Sequence, residues 1–382
     1  MRALVIFVDM ERVDHMNIYN PQAPVSLLDK RLCELGGTIF TRCYSPSPDT
    51  PRSLACMQTG LLPYFNGCDT RIKWPKYFIK DGVTTIWDHA VSKGYKVNLC
   101  CNKSETITGF FRYEESDEVQ LFHTPQSFFE GGDFSDGTLS FIGIPDMHTA
   151  IGDYKATNYA FKKGDEVVDS YFEKYLTSDF ISHFDYTFIF SDHGFQLENE
   201  RAHMTSKLDL LDDGRSQLLM MVHKKGDKEL KKDNRLASIV DLYASLEEVL
   251  GCGDYRHGFS LMDEPKRTIT HIEDHQDFNV YPEIMIKQWR VITEDYDIKT
   301  DAKTIVVMKG NKEDFNSADS YLREFSPKYA EYVKQLEVWK YYDSLKSDDN
   351  HSHTYFIGSE RAGSLTLFAI KVFYKLKKTL HL

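Results

Sequence analysis

The hydrophobic pattern of the chain alternates between short apolar runs and amphipathic segments. The run ALVIFVD at residues 3–9 is typical of a parallel strand buried on both faces. Residues 25–36 have helical spacing and end at a glycine pair, and residues 83–102 read as a helix, a glycine stop and a strand. This alternation predicts the α/β class, with a mostly parallel central sheet sandwiched by helices.

The pattern changes after about residue 265, where short β segments precede a charged, aromatic helical stretch. We therefore expect a catalytic domain at 1–265 and a smaller C-terminal α+β subdomain at 266–382. That subdomain ends in a basic tail, AIKVFYKLKKTLHL, predicted to be helical. Two interpretations of the tail stay open: weak contact with an anionic membrane, and the favoured one, an ordinary helix packed on its domain.

Composition narrows the functional classes. With 41% hydrophobic residues among 382, the chain can bury a large core, and its net charge of −12 argues against a nucleic-acid surface. The first residues lack the features of a signal peptide, and the seven cysteines show no metal-type spacing. We expect a cytoplasmic protein, peripheral at the inner membrane at most, with reduced thiols. The oligomeric state stays open.

Chemistry-bearing side chains cluster at the predicted ends of strands. In parallel sheets, ligands gather outside the carboxyl ends of the strands. Residues of this kind follow three apolar runs, and a hydroxyl lies in the loop after a fourth strand: Asp9, Asp146, His148, Asp192, His193 and Thr50. The sequence therefore predicts that these side chains meet at one edge of the sheet.

The turn SDHG at residues 191–194 places a carboxylate beside an imidazole, and ENERAH adds His203. Oxygen and nitrogen ligands together suit Zn²⁺ or Mn²⁺ better than Ca²⁺. We expect one or two such ions. The alternative to metal ligation is a purely structural role for each residue, as part of an Asx turn, as a helix-capping acid or as a surface histidine.

Six segments within residues 3–262 carry a family resemblance. They are the strand ending in Asp9, then FTRCYSPSPDTPRSLACMQTGLLP, IWDHAVSKGYKVNLCCNK, IFSDHG, HMTSKLDLLDDGRSQLLMMV and SIVDLYASLEEVLGCGDYRHGFSL. In this order they resemble the motifs of the alkaline phosphatase superfamily, on its sulfatase and phosphodiesterase side. The resemblance implies an alkaline-phosphatase-like fold and metal-dependent ester chemistry.

The resemblance also implies the nucleophile, which in this superfamily lies ten residues before the glycine of a T-G pair. Counting back from Gly60 gives Thr50. Sulfatases carry a cysteine or serine there that is converted to formylglycine, and threonine cannot be converted in this way. Threonine is the nucleophile in the phosphodiesterase and phosphoethanolamine-transferase branches. The resemblance thus implies a hydrolase or transferase of phosphoesters or phosphodiesters, acting on a cell-envelope glycan or a lipid-linked precursor.

The remaining roles also follow from the resemblance. One ion would lie on Asp9, Thr50, Asp192 and His193, and a second on Asp146, His148 and His203. With a single ion, His148 and His203 would instead donate hydrogen bonds to the phosphate. The anionic group would contact Arg52, Asn102, Lys103 and Lys207, although a solvated charge is the common fate of such side chains. Two other functions stay open: a sulfuric ester hydrolase, and an inactive family member that acts as a binding protein.

Overall fold

The structure is a computed structural model that describes residues 1–69, 78–101, 112–113, 116–144, 146–263, 265–276, 286–336 and 353–356. Its strands are β1 Arg2–Val8, β2 Gly37–Tyr44, β3 Lys96–Cys100, β4 Val119–Phe122, β5 Thr138–Ile144, β6 Tyr186–Phe190, β7 Met220–Lys224, β8 Leu230–Ser238, β9 Ile269–Gln276, β10 Ile286–Thr293, β11 Asp297–Thr300, β12 Thr304–Lys309 and β13 His353–Phe356.

Helices lie between these strands and after them. They are α1 Leu27–Leu35, α2 Thr50–Thr59, α3 Pro63–Asn66, α4 Ile86–Ser92, α5 Pro125–Gly131, α6 Asp146–Tyr154, α7 Asn158–Lys174, α8 Ser178–Ile181, α9 Glu198–His203, α10 Asp213–Ser216, α11 Ile239–Leu250, α12 Asp314–Phe325 and α13 Pro327–Leu336. Short 3-10 turns occupy Val13–His15 and Lys207–Leu211. No helix in the described ranges is both long and apolar enough to cross a bilayer.

Eight strands form a mixed sheet in the order β4-β3-β5-β1-β6-β7-β2-β8. β7 runs antiparallel to its neighbours β6 and β2, and the other pairs are parallel. The predicted α/β class with a mostly parallel sheet is confirmed. A second sheet, β13-β12-β11-β10-β9, is antiparallel throughout.

The central strand β1 shows why its sequence is apolar at every position. Val5 and Phe7 pack into the core on one face of the large sheet, while Leu4, Ile6 and Val8 pack into the core on the other. Because successive side chains of a strand point to opposite faces, only a strand covered by helices on both sides buries all of them.

The described chain divides into two compact units. The first comprises Met1–Cys68, Pro75–His203 and Asp212–Thr268, and the second comprises Asp69–Trp74, Met204–Leu211 and Ile269–Leu382. The second unit has its own apolar core, in which the rings of Trp289 and Tyr329 meet edge to face. The basic tail that begins at Ala369 lies outside the described residues.

Candidate active site

Strand register brings two acids together at the carboxyl edge of the large sheet. β1 and β6 are parallel neighbours, and Phe7 pairs with Phe190. Asp9 and Asp192 each follow this pair by two residues, just past the strand ends, and therefore leave the sheet side by side. Both side chains are buried.

The loop after β1 is shaped to hold Asp192. Met10 adopts a left-handed backbone with φ of 59°, a conformation that side chains other than glycine rarely adopt. Its N–H donates to Oδ1 of Asp192 at 3.1 Å, and the N–H of His193 donates to the same oxygen at 2.8 Å. Backbone strain at a polar strand end of this kind is common at functional sites.

The ring of His193 is fixed by its own loop. Its Nδ1 lies 2.6 Å from the carbonyl oxygen of Gly194, and a carbonyl can only accept, so Nδ1 carries the proton. When the ring is neutral, the lone pair is therefore on Nε2, which lies 3.3 Å from Oδ2 of Asp192. Gly194 has no room for a side chain, because a Cβ atom there would lie 2.3 Å from the carbonyl oxygen of Gly214.

Thr50 is the first residue of α2 and faces these groups. Its Oγ1 lies 3.2 Å from Nε2 of His193 and 3.3 Å from Oδ1 of Asp9. Asp49 caps the helix by accepting the N–H of Arg52 at 3.2 Å. The hydroxyl therefore lies at the positive end of the helix dipole, where an anionic group is stabilised.

Asp9, Asp192 and His193 fit a divalent cation. Within the described ranges, one ligand atom from each lies within 4.8 Å of the others. Oδ2 of Asp192 is buried and accepts no hydrogen bond from the described part of the chain. A buried oxygen of this kind is costly unless an ion or another partner compensates it. Two carboxylates and an imidazole are a ligand set that suits Zn²⁺ or Mn²⁺.

The residues predicted for a second ion are placed differently. His148 lies in the first turn of α6, and much of its side chain is exposed. The pKa of its imidazole is lowered, mainly by desolvation and to a smaller extent by the neighbouring His193. His203 is exposed and its Nδ1 bonds to the carbonyl of Asn199 at 2.6 Å, within its own helix. Asp146 starts α6, but its side chain lies outside the described part. Neither histidine belongs to the metal-type group found among the described residues.

The predicted substrate-binding residues also separate. Arg52 is fully buried and its Nε donates to Oδ2 of Asp49 at 2.6 Å, so it faces the protein rather than a substrate in this structure. Lys207 belongs to the second unit and pairs with Asp301 at 2.9 Å. Asn102 and Lys103 lie outside the described residues.

Sequence reasoning missed the residues that support the site. Oγ of Ser53 donates to the carbonyl oxygen of Asp192 at 2.8 Å and lies 2.9 Å from Oγ of Ser45. The sequence does indicate Ser53, because it lies three residues after Thr50 and therefore on the same face of α2.

No pattern in the sequence identifies two further residues near the site, Arg12 and Glu11. Arg12 pairs with Asp14 and Glu200 and donates to the carbonyl of Phe195 at 3.0 Å, which ties the loop after β1 to the loop after β6. Glu11 is buried, and burial raises the pKa of its carboxyl to about 8. The ion-pair partner Glu200 lies 188 positions from Arg12, a separation that no local pattern spans.

Comparison with known proteins gives structural neighbours only. No protein-family model and no curated protein matches the chain. The chain superposes on BT1596, a 2-O GAG sulfatase, with a TM-score of 0.66, 14% identity and coverage of 91% of this chain and 95% of that one. For BT4656, solved with its substrate D-glucosamine-2-N,6-O-disulfate, the values are 0.56, 11%, 88% and 98%.

A third neighbour is a protein in the alkaline phosphatase superfamily from Vibrio parahaemolyticus. Its TM-score is 0.54 at 16% identity, with coverage of 78% of this chain and 76% of that one. Similarity at these identities concerns the fold alone. The chain has the fold of the alkaline phosphatase superfamily, in the form that is shared with sulfatases.

Proposed function

We propose that the chain is a metal-dependent enzyme that cleaves an ester of an oxyanion acid, sulfuric or phosphoric, with Thr50 as the nucleophile. One observation carries the proposal: Oγ1 of Thr50 lies within hydrogen-bond reach of both Asp9 and His193, which belong to the described metal-type group. A hydroxyl beside two groups of this kind is placed to lose its proton and attack.

The residues of the site have separate roles in the proposed reaction. Asp9, Asp192 and His193 would hold one Zn²⁺ or Mn²⁺ ion, whose charge lowers the pKa of a coordinated hydroxyl. Because the carbonyl of Gly194 accepts the proton of Nδ1, the Nε2 lone pair of His193 is left for the ion, beside the hydroxyl of Thr50. Ser53 and Met10 keep Asp192 in place, and the start of α2 offers its positive end to the anionic group that is transferred.

The sulfuric ester has the better support from comparison. The neighbours include a 2-O GAG sulfatase and a protein solved with a sulfated glucosamine. By analogy of fold, a sulfated sugar is the candidate substrate. The difficulty is chemical, since threonine cannot become formylglycine.

The phosphoric ester is favoured by the residue at position 50. A threonine hydroxyl can accept a phosphoryl group directly, and water or an alcohol can then receive it. A phosphomonoester or phosphodiester is therefore the second candidate, and whether the acceptor is water or an alcohol separates a hydrolase from a transferase.

The test compares p-nitrophenyl sulfate, p-nitrophenyl phosphate and bis-p-nitrophenyl phosphate with the full chain supplied with Mn²⁺ or Zn²⁺. We expect hydrolysis of at least one ester, loss of that activity with chelator, and a decrease of at least about a hundredfold in Thr50→Ala, since the nucleophile is removed. Thr50→Ser is the matched control and should keep a large part of the activity. The preferred ester chooses between the two substrate classes.

Full activity of Thr50→Ala on every ester would contradict the assignment of the nucleophile. No turnover of any ester by metal-loaded wild-type protein would favour the inactive binding protein instead. Mass spectrometry of trapped protein should find the transferred group on the peptide that contains Thr50.

A further inference from the structure

A second cluster of chemistry-bearing side chains lies in the first unit, around α4 and α11. Nδ1 of His89 lies 2.6 Å from Oε1 of Glu247, and Nε2 of His89 lies 2.8 Å from Oγ1 of Thr84. Glu247 is fully buried, His89 is half-buried and Thr84 is exposed. A carboxylate, an imidazole and a hydroxyl thus run in sequence from the interior to the surface.

The hydrogen bonds indicate the tautomer of His89. A carboxylate oxygen only accepts, so Nδ1 of His89 donates to Glu247 and the lone pair of Nε2 faces Thr84. The other oxygen of Glu247 accepts the N–H of Asp254 at 3.1 Å, which holds the carboxylate in place. The imidazole is therefore oriented to accept the proton of the threonine hydroxyl.

A guanidinium completes the cluster. Nη2 of Arg256 donates to Oγ1 of Thr84 at 2.6 Å, and its Nη1 donates to the carbonyl of the same residue at 2.9 Å. Arg256 adopts a left-handed backbone with φ of 52°, a strained conformation for a long side chain. A positive charge beside the hydroxyl stabilises negative charge that develops on it or on a bound carbonyl.

This cluster lies apart from the Thr50 site. Nη1 of Arg256 also donates to the carbonyl of Thr59, at the last residue of α2, whereas Thr50 is at its first. Nine residues at the helical rise of 1.5 Å separate the two ends by about 14 Å.

We propose that Thr84, His89 and Glu247 form a second nucleophilic site that cleaves carboxylic esters, with Arg256 as the electrophilic group. Nucleophile, base and orienting acid are each within hydrogen-bond distance of the next, which is the arrangement that activates a hydroxyl for acyl transfer. Thr84 is an exposed residue, so the cluster reaches the surface. The residues of the metal-type group, Asp9, Asp192 and His193, take no part in this second reaction.

The chemistry balances without a co-reactant other than water. Oγ1 of Thr84 bonds to the acyl carbon while its proton passes to Nε2 of His89, and the ester C–O bond breaks as that proton reaches the leaving alcohol. Water then attacks the acyl-threonine, His89 takes its proton and returns one to Thr84, and the free acid leaves.

The test measures hydrolysis of 4-nitrophenyl acetate by the full chain in the presence of EDTA. We expect Thr84→Ala and His89→Ala each to decrease the protein-dependent rate at least about tenfold, because the nucleophile or its base is lost. Thr84→Ser should retain activity. Rapidly quenched wild-type protein should carry an acetyl group on the peptide that contains Thr84.

Ser92→Ala is the matched control, since this exposed hydroxyl on the same helix bonds to the carbonyl of His89 and not to its ring. It should hydrolyse the ester at the wild-type rate. Thermal unfolding of Thr84→Ala should be unchanged, so that a loss of rate reports on chemistry. Equal rates in wild type and Thr84→Ala, an acetyl group only on other residues, or no hydrolysis by the wild type would each overturn the proposal.

Discussion

Among single residues, Arg52 has two roles that the sequence leaves open, a contact with the substrate and an ion pair within the protein. Its side chain is fully buried and is paired with the equally buried Asp49. We expect Arg52→Ala to lower the free energy of unfolding by about 3–5 kcal/mol, because it leaves a buried carboxylate without its cation. Urea denaturation followed by circular dichroism measures the change.

Arg235→Ala provides the control. Arg235 forms the same kind of pair with Asp233 at 2.7 Å, but both side chains are partly exposed. Its loss should cost about 1 kcal/mol or less. If Arg52→Ala instead keeps full stability and weakens only the binding of an anionic ester, the substrate-binding role predicted from the sequence is the correct one.

The contrast with Thr50 shows which residue properties a sequence carries. The ends of apolar runs predict that Asp9, Asp192 and His193 lie in one neighbourhood, because strand ends in a parallel sheet share an edge, and the family resemblance adds Thr50 by the count back from Gly60. The burial of Arg52 depends instead on how its side chain packs beside Asp49, and spacing along the chain does not encode that.

For the secondary structure elements, α1 depends on an acid from another helix. Both oxygens of Asp165 in α7 accept backbone N–H groups at the start of α1, from Leu27 at 2.8 Å and from Leu28 at 3.0 Å. Burial is the main cause that raises the pKa of Asp165, and the N–H groups lower it in part. The folded state therefore holds a proton on Asp165 more tightly than the unfolded state does.

This sign gives a pH prediction for Asp165→Asn. The contribution of Asp165 to stability is fully present below its unfolded pKa and is lost as the pH rises through its raised folded pKa. The free energy of unfolding of the wild type should therefore fall relative to that of Asp165→Asn over that interval. Urea titrations of both proteins at several pH values test it, and a difference that stays constant or changes in the wild type's favour would contradict it.

The elements also show what an apolar pattern leaves undetermined. The apolar runs before Asp9 and Asp192 predict buried strands of a mostly parallel sheet, which are β1 and β6, yet the next strand in the sheet, β7, runs antiparallel to both of its neighbours. A run that is buried on both faces looks the same in either direction, so the pattern cannot assign its orientation. Caps such as Asp165 on α1 were missed for a related reason, since 138 positions separate donor and acceptor.

For the whole molecule, the sequence suggested a single change of pattern near residue 265, whereas the compact units are discontinuous. The segment Met204–Leu211 belongs to the second unit although the chain on both sides of it belongs to the first. A composition shift locates where a pattern ends, but it cannot show that a short earlier stretch packs with a later sheet. Within the second unit, Arg290 shows such packing by donating to the carbonyl of Leu211 at 2.9 Å.

The metal-type group predicts that ion binding stabilises the folded chain as a whole. An ion that binds the folded state only adds about 2.7 kcal/mol at a concentration one hundred times its dissociation constant. Mn²⁺ is the better probe, because an unfolded chain with seven cysteines would bind Zn²⁺ and mask the effect. We expect Mn²⁺ to raise the thermal midpoint and EDTA to reverse the shift, with no assay of activity required.

Asp192→Asn should abolish most of that shift, because it replaces the carboxylate whose buried Oδ2 accepts no hydrogen bond from the described residues. Asp117→Asn alters an exposed acid next to the edge strand β4 and should leave the shift as in the wild type. An equal effect of Mn²⁺ on both variants would place the ion elsewhere. In that case the orphaned oxygen of Asp192 would have a partner other than a metal, and the role of Asp9 and His193 as ligands would fall with it.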